Sequence, residues 1–338
     1  MNKMKLTYSQ IKEFALGAEF ALETEMGLTL YRFNEEELEM YSERCTPRLY
    51  SSSGIRIAFT TDAKELTLGI ETDKGSSRTF FAVELFEDGE RSGVLRNYED
   101  GRSFADLRDN CSHGTFEQTF SLKEGTKIVE LYLPWSAVTT VTNLELTDAT
   151  FANPIERNAV LLMYGDSITQ GYDAYLPSQS YSNRLADTLG MQVVNKAIGG
   201  EVFFPPLAEC EPTLAPDLIT VAYGTNDFSK STWEDFQADS RAFFEALAER
   251  HPETPILAIT PIWRADWESE RAIPSFHAVE EHLRAVAEEI PNMSIVPGFR
   301  LVPQDTDLFS DRRLHPNDEG FAYYADNLAR LIQPLLEE

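Results

Sequence analysis

Apolar and polar residues alternate through most of the chain up to residue 152. The segments 54–61 (GIRIAFTT), 65–72 (ELTLGIET), 80–86 (FFAVELF), 116–122 (FEQTFSL), 127–133 (KIVELYL) and 138–146 (VTTVTNLEL) all show it. A period of two puts every second side chain on one face, as in a half-buried strand. Asp88-Gly89, Glu99-Asp100-Gly101 and Lys123-Glu124-Gly125 supply turns between them. Short strands at this spacing predict an antiparallel, jelly-roll-like β-sandwich over residues 1–152.

After Phe151-Ala152-Asn153-Pro154 the pattern changes. Residues 160–164 (VLLMY) are apolar without a break, as in a strand buried on both faces. Strands are expected at 192–195, 218–223, 256–261 and 294–296. Helical patterns fall between and after them, at 181–189, 232–250, 276–290 and 316–335. Strands alternating with helices predict a parallel sheet covered on both sides, hence an α/β domain over 158–338.

In such a sheet the reactive residues gather beyond the carboxyl ends of the strands. Gly165-Asp166-Ser167 follows the first strand and Asn195 to Gly200 the second. Gly224-Thr225-Asn226-Asp227 follows the third, and His315-Pro316-Asn317-Asp318 precedes the last helix. A serine hydroxyl needs a base to become a nucleophile, and His315 is the candidate for Ser167. The N–H groups of Ser167 and Gly200 and the amide of Asn226 are candidate donors to an oxyanion. Pro316, with Asp318 and Glu319 behind it, reads as the first turn of the last helix.

These four blocks, in this order, resemble the SGNH, or GDSL, hydrolase superfamily over residues 158–338. The resemblance implies a flavodoxin-like three-layer fold and ester hydrolysis with no metal and no cofactor. The letters of the name fall on Ser167, Gly200, Asn226 and His315. The preceding sandwich is similar in architecture to carbohydrate esterase family 2. The chain departs from the family pattern in one place that matters. The family's acid stands three residues before the histidine, where this chain has Arg312; Asp311 lies one residue earlier and is the candidate acid. The glycine block also carries Ala197 where a glycine is frequent.

Aromatic residues flank these blocks. Trp263 and Trp267 follow the fourth strand, and Tyr172 and Phe203 border the serine and glycine blocks. They are candidate substrate contacts, Trp263 and Trp267 as a wall for a sugar ring; packing in the core is the competing reading for each. His277 and His282, five apart, match no zinc helix and read as a solvated face.

Composition narrows the function. The 338 residues are 42% hydrophobic and 25% charged, as in a globular protein. Lys plus Arg total 29 and Asp plus Glu 56, a net charge of −27. A nucleic acid or an anionic membrane is therefore not an expected partner. Cys45, Cys111 and Cys210 form no disulfide or zinc pattern. With no apolar run after the first lysines, a cytoplasmic location is expected. The leading expectation is a serine esterase acting on short acyl esters of carbohydrates, acetyl first. The partner is a small-molecule or oligosaccharide ester, and a homo-oligomer stays open. An acyltransferase, a lysophospholipase or a thioesterase of the same superfamily is the alternative. A non-catalytic carbohydrate-binding protein is the alternative from another class.

Overall fold

The computed structural model describes residues 2–41, 44, 47–99 and 101–336. Cys45 lies outside these residues, as does Asp100 of the expected turn at 99–101; Cys111 and Cys210 are free thiols. The chain divides into two compact units. One comprises Met1–Glu35, Thr46–Asn158 and Tyr175–Ser178, the other Glu36–Cys45, Ala159–Ala174 and Gln179–Glu338.

The first unit consists of two antiparallel sheets. One runs Phe20–Glu23, Leu28–Tyr31, Ala137–Thr147, Glu65–Lys74, Gly114–Ser121, with Lys3–Lys5 also paired to Ala137–Thr147. The other runs Ala152–Pro154, Arg56–Thr61, Lys127–Tyr132, Ala82–Glu87, Glu90–Arg96, with Ala15–Leu16 paired to Arg56–Thr61. The alternating residues supply one shared core: Leu66, Leu68, Ile70, Leu144 and Leu146 from the first sheet meet Ile57, Phe59, Leu85, Val129 and Leu131 from the second. All six strands expected from alternation are present to within two residues at each end. The four strands before residue 35 are only two to four residues long, too short for alternation to register.

The second unit holds a five-stranded sheet in the order Gln192–Asn195, Val160–Gly165, Leu218–Ala222, Ile256–Ile259, Met293–Val296. Every neighbouring pair is parallel. Val160–Gly165 is buried at all six positions, which is why it reads as an unbroken apolar run. Helix Tyr181–Leu189 packs with Asp318–Leu336, and Trp233–Arg250 with Phe276–Glu289. The last helix begins at Asp318, so Pro316 precedes it and bridges to Phe309 instead. Glu37, from the helix Glu35–Met40, pairs with Lys196 beside the glycine block, and both side chains are buried. A buried charge needs such a partner, so this pair ties Glu37 to the glycine block within the second unit.

His282 corrects the reading of a solvated helix face. It is half-buried, 3.0 Å from Ser240 Oγ, with its ring against Trp233 and Phe236, and burial pushes its pKa down. Among the described residues, no helix is long and apolar enough to cross a membrane.

Candidate active site

The strand order places Val160–Gly165 between its sequence successor on one side and Leu218–Ala222 on the other. Connections from these strands leave in opposite directions, which opens a crevice at their carboxyl ends. Ser167 stands there, at the first position of the helix Ser167–Gln170. The geometry follows from its neighbours. A Cβ on Gly165 would come within 2.3 Å of Thr169 Oγ1, so only glycine lets the helix turn back over the strand. Asp166 is the N-cap, its carboxylate accepting the Ile168 N–H at 2.9 Å. Gly171 closes the helix in the left-handed conformation.

Ser167 Oγ lies 2.9 Å from His315 Nε2, and His315 Nδ1 lies 2.8 Å from Asp311 Oδ2. The one-residue departure from the family spacing is absorbed locally. Arg312 takes a left-handed φ of 55°, and the backbone N–H groups of Arg313, Leu314 and His315 all donate to Asp311 Oδ1. The loop is thereby wrapped around its own carboxylate. Burial pushes the Asp311 pKa up, but the bonds from His315 and these amides outweigh it and hold the carboxyl well below its usual range.

Gly200 has φ 86°, a conformation that favours glycine. Three side chains from the neighbouring block grip this turn. Lys230 Nζ donates to the Gly200 carbonyl, Asn226 Nδ2 donates to the Glu201 carbonyl at 3.1 Å, and Asp227 accepts the Phe203 N–H at 3.2 Å. On the other side Gln170 Oε1 accepts the Gly199 N–H at 2.7 Å, and Asn195 Nδ2 donates to the Thr169 carbonyl at 2.8 Å. The serine, glycine and asparagine blocks are therefore joined by direct hydrogen bonds. Arg264 adds a further tie. Buried, it donates to the Thr225 carbonyl at 2.8 Å and to both oxygens of Asp266, which also accepts from Arg313 at 2.9 Å. It links the asparagine loop to the histidine loop. Gln170, Asn195, Lys230 and Arg264 were not among the expected site residues; an arginine directly after the apolar Pro261-Ile262-Trp263 was the only signal for the last.

The aromatic candidates separate. Tyr172 is buried and stacked on the His315 ring, with centroids 5.6 Å apart. Phe203 is a core residue, enclosed by Tyr223, Phe236, Phe243 and Phe244, so its ring is not a substrate contact. Trp263 is buried against Phe309, while Trp267 packs on His277 and Phe299. The two indoles rest on different partners and do not make one wall.

Two carboxyls beneath the site are displaced upward by burial, Asp166 to about 6 and Asp227 to about 7; backbone N–H donors oppose the shift in each. An acid whose folded pKa exceeds its unfolded one, near 3.8, favours folding while protonated. That contribution fades as pH climbs from about 4 through about 7. Asp311, with its lowered pKa, acts in the opposite sense and only at more acid pH. The melting temperature should thus fall between pH 5 and pH 7, about where these two groups ionise, and Asp227→Asn should flatten that slope. An unaltered slope in the variant would contradict the assignment.

Residues 163–323 match the family described as GDSL-like Lipase/Acylhydrolase. No curated protein matches the chain at the level of sequence. Among solved structures the chain is similar to SsfX3, a salicylyl-acyltransferase from a tetracycline biosynthetic pathway. The TM-score is 0.79 at 22% identity, over 99% of this chain and 97% of that one. It is also similar to a GDSL-like lipase candidate from Bacteroides ovatus, with TM-score 0.77, 18% identity and coverage of 99% and 98%. A family two carbohydrate esterase from Cellvibrio japonicus follows, with TM-score 0.65, 16% identity and coverage of 99% and 98%.

Proposed function

We propose that the chain, whose residues 163–323 match the GDSL-like lipase/acylhydrolase family, is an SGNH-type serine esterase releasing short acyl groups, acetyl first, from carbohydrates. The observation that carries this reading is the hydrogen-bonded row Asp311–His315–Ser167 at 2.8 and 2.9 Å. In this reading residues 158–338 form the catalytic domain and 1–152 a separate sandwich domain.

The chemistry follows from the contacts. Ser167 Oγ attacks the ester carbonyl as His315 Nε2 takes its proton, and the Asp311 carboxylate holds Nδ1–H and the imidazolium. The carbonyl oxygen becomes an anion and is met by the N–H groups of Ser167 and Gly200 and by Asn226 Nδ2, which has a second hydrogen besides the one given to Glu201. The tetrahedral centre collapses, the C–O bond to the alcohol breaks, and His315 returns its proton to the leaving oxygen. Water repeats the sequence on the acyl-Ser167 ester, and a carboxylic acid leaves. The net charge of −27 disfavours polyanionic substrates at long range.

A second reading replaces water by another alcohol as acceptor. The 0.79 TM-score with an acyltransferase favours keeping it. We expect acetate release from acetylated xylo- or manno-oligosaccharides, together with a p-nitrophenyl ester profile that peaks at acetate. A profile peaking at octanoate or longer, with no acetate released from any acetylated sugar, would overturn the carbohydrate reading. Ester product in the presence of an added alcohol separates transfer from hydrolysis.

A further inference from the structure

We propose that Asp173 is a second positioning carboxylate for His315, sharing the load of its Nδ1–H with Asp311 as the imidazole takes up the serine proton. The inference rests on the reading of His315 as the base.

Asp173 is buried, and its Oδ2 lies 3.7 Å from His315 Nδ1. That is too long for a hydrogen bond in the resting geometry and short for a charge facing a nascent cation. Its position is built from both sides. The turn after the serine helix has the Gly171 and Tyr172 N–H groups donating to the Ser167 carbonyl, and Asp173 follows with φ 76°. A left-handed backbone at a residue other than glycine costs energy, so the fold holds it there against a local preference. This one turn lays the Tyr172 ring on the imidazole face and sets the Asp173 carboxylate at its Nδ1 edge. Ser310 completes the arrangement. Its hydroxyl donates to Asp173 Oδ2 at 2.6 Å, and its N–H donates to the His315 carbonyl at 2.9 Å. One serine thus ties the carboxylate to the backbone of the residue it faces.

The charged groups around His315 are Asp311 on its own loop, Asp173 from the turn after Ser167, and Asp166 beneath the serine. Asp173 and Asp311 both approach Nδ1, so a small rotation of the ring exchanges one acceptor for the other. A site with two acceptors loses little when one is neutralised and much when both are.

The test is a double-mutant cycle on the full chain, read as kcat for p-nitrophenyl acetate. Asp311→Asn should cost about tenfold and Asp173→Asn about threefold, while the pair should cost on the order of 10³-fold, far beyond the product of the two. A double variant no worse than that product overturns the proposal. The acid limb of the kcat/KM profile gives a readout that a purely structural role would not move. Losing the Asp173 charge lowers the pKa of the base, so the limb shifts to lower pH in Asp173→Asn. Ser310→Ala keeps both carboxylates but removes a donor that competes for Asp173 Oδ2; its limb should shift to higher pH. The two variants are independent, so Ser310→Ala decides the question if Asp173→Asn does not fold; an unmoved limb in a folded variant overturns the proposal. If Ser167→Ala keeps full activity, the esterase reading itself has failed. If Ser167→Ala is inactive and the cycle is additive, only the role of Asp173 has.

Discussion

Ser167→Ala and His315→Ala should each lower kcat by on the order of 10³-fold or more, with the melting curve unchanged. The two groups work as a unit at 2.9 Å: without the hydroxyl there is no acyl-enzyme, and without the imidazole the hydroxyl keeps its proton. Loss of either therefore costs about as much as loss of both, a non-additivity that separates a nucleophile and base from two unrelated binding residues. The expected loss corresponds to at least about 4 kcal/mol of transition-state stabilisation. Stability should hold because the serine helix keeps its Asp166 cap on the Ile168 N–H in either variant, and the Ser167 hydroxyl bonds the histidine. Near-parental turnover by Ser167→Ala on any ester that the parent cleaves would sink the assignment.

The strands and helices of the second unit were legible in the sequence because their burial pattern is their sequence pattern. Tyr181–Leu189 and Gln192–Asn195 fall on the expected residues, and Thr232 is the cap of the long helix that the pattern opens at that position. The Ser167, Gly200, Asn226 and His315 blocks were legible for a related reason: each stands where a strand ends or a helix begins. Other parts were not legible because they depend on contacts between residues far apart in the chain. Phe203 sits beside the glycine block in sequence, yet its ring turns inward to Phe236, Phe243 and Phe244 on a later helix. Trp263 and Trp267 have helical spacing but lie in a segment that is not helical, so their indoles diverge. Asp311 was one residue out of place in the sequence; the left-handed Arg312 that restores it leaves no trace in a chain written as letters. Asp173, Lys230 and Arg264 reach their partners across 142, 30 and 39 residues, separations no local pattern encodes.

Asn226→Ala should lower kcat by roughly 10²-fold while KM changes little. The reason lies in when its bond matters. A ground-state carbonyl oxygen carries little charge, whereas the tetrahedral oxyanion carries a full one, so a fixed donor strengthens as the transition state forms. Asn226 is fixed: one Nδ2 hydrogen is committed to the Glu201 carbonyl, and the adjacent Asp227 accepts from Phe203 and Gly224. The side chain thus pays its ordering cost during folding, and no rotamer freedom is lost at the moment of reaction. The same bond to Glu201 predicts a smaller, separable effect of the truncation on the glycine turn. Lys230 on the Gly200 carbonyl and Asp227 on the Phe203 N–H still grip that turn in the variant, so Ser167 should acylate at a reduced rate instead of not at all. Steady-state kinetics on p-nitrophenyl acetate decide between the two possible roles. A rise in KM at constant kcat would show Asn226 binding substrate uniformly, and the oxyanion role would then fall to the backbone N–H groups of Ser167 and Gly200 alone.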